Sequence, residues 1–141
     1  MKKYLLLIVI LVLYSCSSTK NTISKPLYEV LSVTNDGGAT IKFYEILTES
    51  KEINMLLGDE TLRKLIKPKD ISESNFLILN AGPTKESYNR IKVEKIVETA
   101  TEIEIYIKDT QKNIEATQQD ETTKYPYSVV KINSKKPIVI K

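Results

Sequence analysis

Glu102-Ile103-Glu104-Ile105-Tyr106-Ile107-Lys108 carries the cleanest alternation in this chain. Side chains along a strand point to opposite faces in turn, so Ile103, Ile105 and Ile107 share a core face while Glu104, Tyr106 and Lys108 point outward. One covered face and one wet face is the pattern of an antiparallel sheet. Upstream, Tyr88 to Val97 reads as a neighbouring strand. Ile91 and Val93 keep the period and Ile96 falls out of phase, which predicts a bulge near Glu94-Lys95. Further back, the run Phe76-Leu77-Ile78-Leu79 has no polar alternation and suits a strand buried on both sides. Ala81-Gly82-Pro83-Thr84 closes it with a turn.

The amino-terminal part of this region reads as a hairpin. Leu27 to Thr34 and Ala39 to Leu47 are strand-like, with Asn35-Asp36-Gly37-Gly38 between them as the turn. Ile41 and Phe43 share one face, Tyr44 and Ile46 the other. Between Thr48 and Ile66 the period changes. Ile53, Leu56, Leu62, Leu65 and Ile66 recur at three and four residues, which predicts one or two short helices, ended by Lys67-Pro68. Asp109 to Glu121 is polar and reads as a mobile excursion. Thr122 to Ile132 returns to strand character, and Pro137 to Ile140 suits an edge piece. The expected fold is α+β, mainly β: one antiparallel sheet of about five to seven strands with a short helical insert packed on one face. The expected core is Phe43, Leu56, Leu65, Phe76, Ile78, Ile91, Val93, Ile103, Ile105, Ile107, Val129 and Ile132.

The first residues have another purpose. Lys2 and Lys3 precede an apolar run from Tyr4 to Val12, and Leu13-Tyr14-Ser15-Cys16 follows as a lipobox. A basic start, a short apolar core and a small residue before the cut make a secretory signal, too short for a stable membrane span. The pattern is that of a bacterial lipoprotein. Residues 1–15 are the expected signal peptide. Residues 16–26 are the lipidated Cys16 and a polar tether, and residues 27–141 form a single domain. Acyl chains on Cys16 would hold the chain on the membrane, each buried methylene contributing about 0.8 kcal/mol. The expected location is the bacterial cell envelope, on the periplasmic or cell-surface face.

Composition excludes several function classes. The net charge of +3 falls to about +1 once Lys2 and Lys3 are removed, and basic and acidic residues are interleaved, so no nucleic-acid partner is expected. One cysteine permits no internal disulfide. With no histidine and that cysteine acylated, neither a metal site nor a bound cofactor is expected, and nucleophilic catalysis lacks a base. The carboxylates Glu102 and Glu104 share a strand face, but solvated alternation explains them.

Two blocks carry a family resemblance. Ser74-Asn75-Phe76-Leu77-Ile78-Leu79-Asn80-Ala81-Gly82-Pro83-Thr84, followed by Ser87-Tyr88 and Ile91-Lys92-Val93, is the first. Thr123-Lys124-Tyr125-Pro126-Tyr127-Ser128-Val129-Val130-Lys131-Ile132 is the second. Together they resemble the strand-and-turn pattern of PrcB-type proteins, small bacterial lipoproteins named for association with a secreted subtilisin-like protease complex. The Gly-Gly that precedes the tyrosine in that family is Glu86-Ser87 here. The resemblance implies a β-rich domain that is not an enzyme and serves as an accessory or binding partner, such as of an envelope or secreted protease.

Tyrosine is the main aromatic and the natural choice for a recognition surface, being large, rigid and amphipathic. The candidate partner-binding residues are Tyr106, on the polar face of its strand, and Tyr125 and Tyr127, flanking Pro126. Against this, one tyrosine of the pair would ordinarily pack in the core, with Pro126 at a strand start where no ladder donor is needed. Two other readings compete. One is a small-ligand-binding lipoprotein with a pocket between sheet and helix; the other is a hydrolase using paired carboxylates.

Overall fold

The computed structural model describes residues 26–141; the expected signal peptide, Cys16 and the expected tether to residue 25 lie outside the described residues. Among the described residues, seven strands and three short α-helices follow one another: β1 (Tyr28–Thr34), β2 (Lys42–Leu47), α1 (Ser50–Met55), α2 (Glu60–Leu65), α3 (Pro68–Glu73), β3 (Asn75–Ala81), β4 (Ile91–Glu98), β5 (Ile103–Asp109), β6 (Tyr127–Ile132) and β7 (Ile138–Ile140). The class is α+β, mainly β. The strands form two sheets rather than one. A four-stranded antiparallel sheet runs β1-β6-β3-β2, and a three-stranded sheet runs β4-β5-β7 with β7 parallel to β5.

The hydrophobic pattern explains the layering. β3 is central and apolar from Phe76 to Leu79, so it needs cover on both faces. Leu77, Leu79 and Ala81 face the three-stranded sheet and pack with Ile91, Ile103, Ile105, Val130 and Ile132. Phe76 faces the other way and packs with Ile53, Leu62, Ile66, Leu31, Leu47 and Val129 beneath the helices. Helices, central sheet and second sheet thus make three layers with two cores. β5 lies in an outer layer and needs only one apolar face, hence its alternation.

Short helices of this length depend on caps and tertiary packing. Asp59 caps α2 by accepting the backbone N–H groups of Thr61 and Leu62 at 2.8 and 2.9 Å. Glu52 Oε2 accepts the N–H groups of Thr48 and Glu49, both at 3.1 Å, at the start of α1. Pro68 opens a third helix instead of ending the insert, because a proline at the first helical position forgoes no hydrogen bond. Asp70 holds that helix down. It is buried, accepts Lys67 N–H at 2.9 Å and faces Lys131 Nζ at 3.4 Å; Lys131 also meets Glu29 at 2.8 Å.

The expected hairpin between the first two strands does not form. β1 and β2 occupy opposite edges of the four-stranded sheet. Residues 35–41 instead cross the ends of β6 and β3, and polar groups fasten the crossing. Gly38 N–H donates to the Tyr125 carbonyl at 2.7 Å. Asn80, buried at the end of β3, accepts Ala39 N–H at 2.8 Å and donates to the carbonyls of Ala39 and Ile41. Asp36 Oδ1 accepts Gly37 N–H and Tyr125 N–H at 2.9 and 3.0 Å, which holds its carboxyl below the usual range. Gly37 has φ of 96°, so the turn chemistry was legible while the partner of the return strand was not.

Residues 109–121 are likewise tied to the domain. Gln111 is buried and donates to Glu86 Oε2 at 3.1 Å, and Asn113 donates to the carbonyls of Ala81 and Pro83. The bulge in β4 falls where the phase break placed it, between Val93 and Lys95. Of the expected core, Phe76, Ile91, Ile103, Ile105, Val129 and Ile132 are buried, and Phe43, Leu56, Ile78, Val93 and Ile107 are partly so. Leu65 is exposed, because α2 turns Leu62 and then Ile66 to the sheet.

Candidate functional site

The candidate tyrosines have separate settings. Tyr127 begins β6 and is half-buried against the core beneath the helices, with buried Pro126 just before the strand. Tyr125 is half-buried and its hydroxyl donates to Gln119 Oε1 at 3.1 Å. Tyr106 lies in the other sheet. Its hydroxyl donates to Glu104 Oε2 at 3.0 Å, and Lys95 Nζ sits 4.5 Å from the ring centre. The hydrogen bond to Glu104 raises the Tyr106 pKa. Tyr106 therefore joins a closed local network, with Lys141 near the other Glu104 oxygen at 3.5 Å. No contact brings Tyr106 to Tyr125 or Tyr127 among the described residues.

Another surface is more open. β1 carries a bulge between Val30 and Ser32. A bulge inserts one residue and re-aims the side chains beyond it. Leu31 therefore enters the core under the helices, while Val30, opposite Val130, and Val33, opposite Ser128, both project on the side of the second sheet. That sheet does not cover them: Val30 is 49% and Val33 60% exposed. The result is an apolar ledge beside β4, a cavity of about 310 Å³ lined by Val30, Val33, Ile91, Val93, Val130 and neighbouring polar groups. Among the described residues β4 pairs only with β5, and β1 only with β6, so each presents an edge that no described strand pairs.

The ledge runs into a cationic cleft of about 300 Å³, with Asn89 and Lys92 lining both. Tyr88, Arg90, Lys108 and Thr110 complete the cleft. Arg90 stacks over Tyr88 at 4.6 Å, donates to its hydroxyl at 2.6 Å and pairs with Glu86 at 3.0 Å. Lys92 and Lys108 sit directly opposite one another across β4 and β5. Neither forms an ion pair with a described residue. Like charges in that relation disfavour the pairing of the strands. Asn89 is fixed through its backbone N–H to Asn35 and its Oδ1 to Ile91 N–H, both at 2.9 Å, yet its buried Nδ2 has no hydrogen-bond partner among the described residues.

A third cavity of about 270 Å³ lies between β2 and α1, lined by Glu45, Leu47, Glu52, Met55, Leu56 and Ile78. The remaining polar network of note is structural. Tyr44 hydroxyl donates to Asp109 Oδ2 at 2.9 Å, and Lys42 pairs with the same oxygen. Burial and that bond push the Tyr44 pKa up to about 12. Burial alone would raise Asp109, but Lys42, Gln111 N–H and Tyr44 outweigh it and hold the carboxyl below its usual range. Asp120, bound by Lys85 and Thr122, is lowered as well. The shifts of the two carboxyls favour the anion, opposite to the raised carboxyl a general acid needs.

Among the described residues there is no group of three or more potential ligands placed to hold a metal ion. No described helix is long and apolar enough to cross a membrane, which leaves lipid anchoring untouched. The chain matches no protein-family model, no curated protein and no solved structure. Sequence reasoning missed Val30, Val33, Lys92 and Lys108 as a group. Each reads as an ordinary strand residue until the bulge and the β4–β5 register set them side by side.

Proposed function

We propose that this chain is a lipid-anchored protein of the bacterial envelope that works by binding rather than by catalysis. Cys16 is its membrane anchor. The β1–β4 ledge is its docking face, and its partner is a polypeptide. The observation that carries the docking face is the pair Val30 and Val33, large apolar side chains left uncovered beside an unpaired strand edge. Exposed apolar groups next to an open edge are what a partner strand adds to: main-chain hydrogen bonds supply affinity and alternate side chains specificity. The PrcB-type resemblance supports an envelope or secreted protease as that partner.

The test has two arms. Cys16→Ala should release the protein from membranes without detergent. Capture of the native anchored protein from its own cells should bring down a stoichiometric envelope protein, lost with Val33→Asp. A protein that stays on the membrane without Cys16 contradicts the anchor, and a partner indifferent to Val33→Asp contradicts the docking face. A small-ligand reading is favoured by the cavity between β2 and α1, but its 270 Å³ is under the about 300–1,000 Å³ usual for ligand sites.

A further inference from the structure

We infer that the β1–β4 ledge is selective for an extended segment bearing carboxylates, whose acidic side chains meet Lys92, Lys108 and Arg90. The inference rests on the docking face proposed above and adds the chemistry of what it takes. Three observations carry it. First, Lys92 and Lys108 are exposed, cross-strand neighbours, and neither has a carboxylate partner among the described residues. Two unneutralised ammonium groups held side by side lower their mutual repulsion when an anion enters between them. Second, Arg90 stands at the same cleft, its planar group already set by the Tyr88 ring and Glu86, so little side-chain freedom is lost on binding. Third, the cationic cleft and the apolar ledge are continuous through Asn89 and Lys92.

A strand laid along the free edge of β4 has alternating faces. One set of side chains would cover Val30 and Val33. The other would point outward with Lys92, whose β4 side chain lies on that face. The matching segment alternates apolar and acidic residues. A basic segment is opposed by Lys92 and Lys108, whereas Arg90 is already paired with Glu86. Exposed lysines also serve simply to keep strand edges from pairing, and the experiment separates that role from recognition.

The probes are synthetic peptides of four Val-Glu, four Val-Lys or four Val-Thr repeats, about the length of β4. Each carries a fluorophore and is titrated against the full-length lipidated protein in non-ionic detergent, read by anisotropy. The Val-Glu peptide should bind at least about tenfold more tightly than the Val-Thr peptide, and the Val-Lys peptide more weakly still. Lys92→Glu with Lys108→Glu should abolish or reverse that order, and added salt should compress it. Equal binding of Val-Glu and Val-Thr peptides, both lost with Val33→Asp, would overturn the selectivity and leave the docking face standing. An order unchanged in the double lysine variant would also overturn it. Binding of none of the peptides would count against both.

Discussion

Gly38 has no room for a methyl group. A Cβ there would lie 2.7 Å from the Tyr125 carbonyl and closer still to the Asn80 amide oxygen, both held by the crossing they fasten. Gly58, by contrast, opens onto empty space. Gly38→Ala should therefore cost about 1–3 kcal/mol in denaturant unfolding, while Gly58→Ala should stay within about 1 kcal/mol of the parent. Tyr44 offers a pH test. Its pKa is raised to about 12, so the neutral hydroxyl contributes stability that is fully present below pH 10, the unfolded value, and is lost as pH rises towards 12. Tyrosinate absorbance should show a late-titrating component that diminishes in Tyr44→Phe. A Tyr44→Phe titration curve identical to the parent's would contradict the Asp109 contact.

At the scale of elements, the helical insert is held to the sheet by an apolar cluster and by an ionic contact. Ile53 of α1 is fully buried against Phe76, and Ile53→Ala should cost about 2–5 kcal/mol. Asp70 of α3 faces Lys131 in the interior, and Asp70→Asn leaves that lysine with Glu29 at the rim. Removing one member of a buried pair is strongly destabilising, by about 3 kcal/mol at the low end of such pairs. Replacing both with Leu and Met should cost less than the single change, since no buried charge is stranded. Chemical denaturation of the single and double variants checks both statements. Element identity was legible where the signal was local: the alternation in β5, the apolar run of β3, and the phase break at Val93–Lys95. Strand pairing was not. Asn35-Asp36-Gly37-Gly38 has the chemistry of a hairpin turn, but the decisive bonds come from Asn80 and Tyr125, distant in sequence.

At the scale of the whole molecule, the described domain is a central sheet covered unequally. Helices close one face. The second sheet covers the other but leaves the β1 margin open, and there two unpaired edges, an apolar ledge and three cations adjoin. The tyrosines were the visible recognition candidates because aromatic type can be read from the chain alone. The ledge was not visible, since valines and lysines become a surface only through a bulge and a register. The anchor proposed at Cys16 rests on the amino-terminal pattern alone and lies outside the described residues.

The most direct test of docking at this margin is site-specific photo-cross-linking in living cells. A photoreactive residue is placed in turn at Val33, at Lys92, and at Lys51 on the exposed side of α1 as a control. A single defined polypeptide adduct from Val33 and Lys92, absent from Lys51 and lost when Lys108 is changed to Glu in the Lys92 probe, is the expected result. No adduct at Val33 or Lys92, or the same adducts from Lys51, would contradict docking at the β1–β4 ledge.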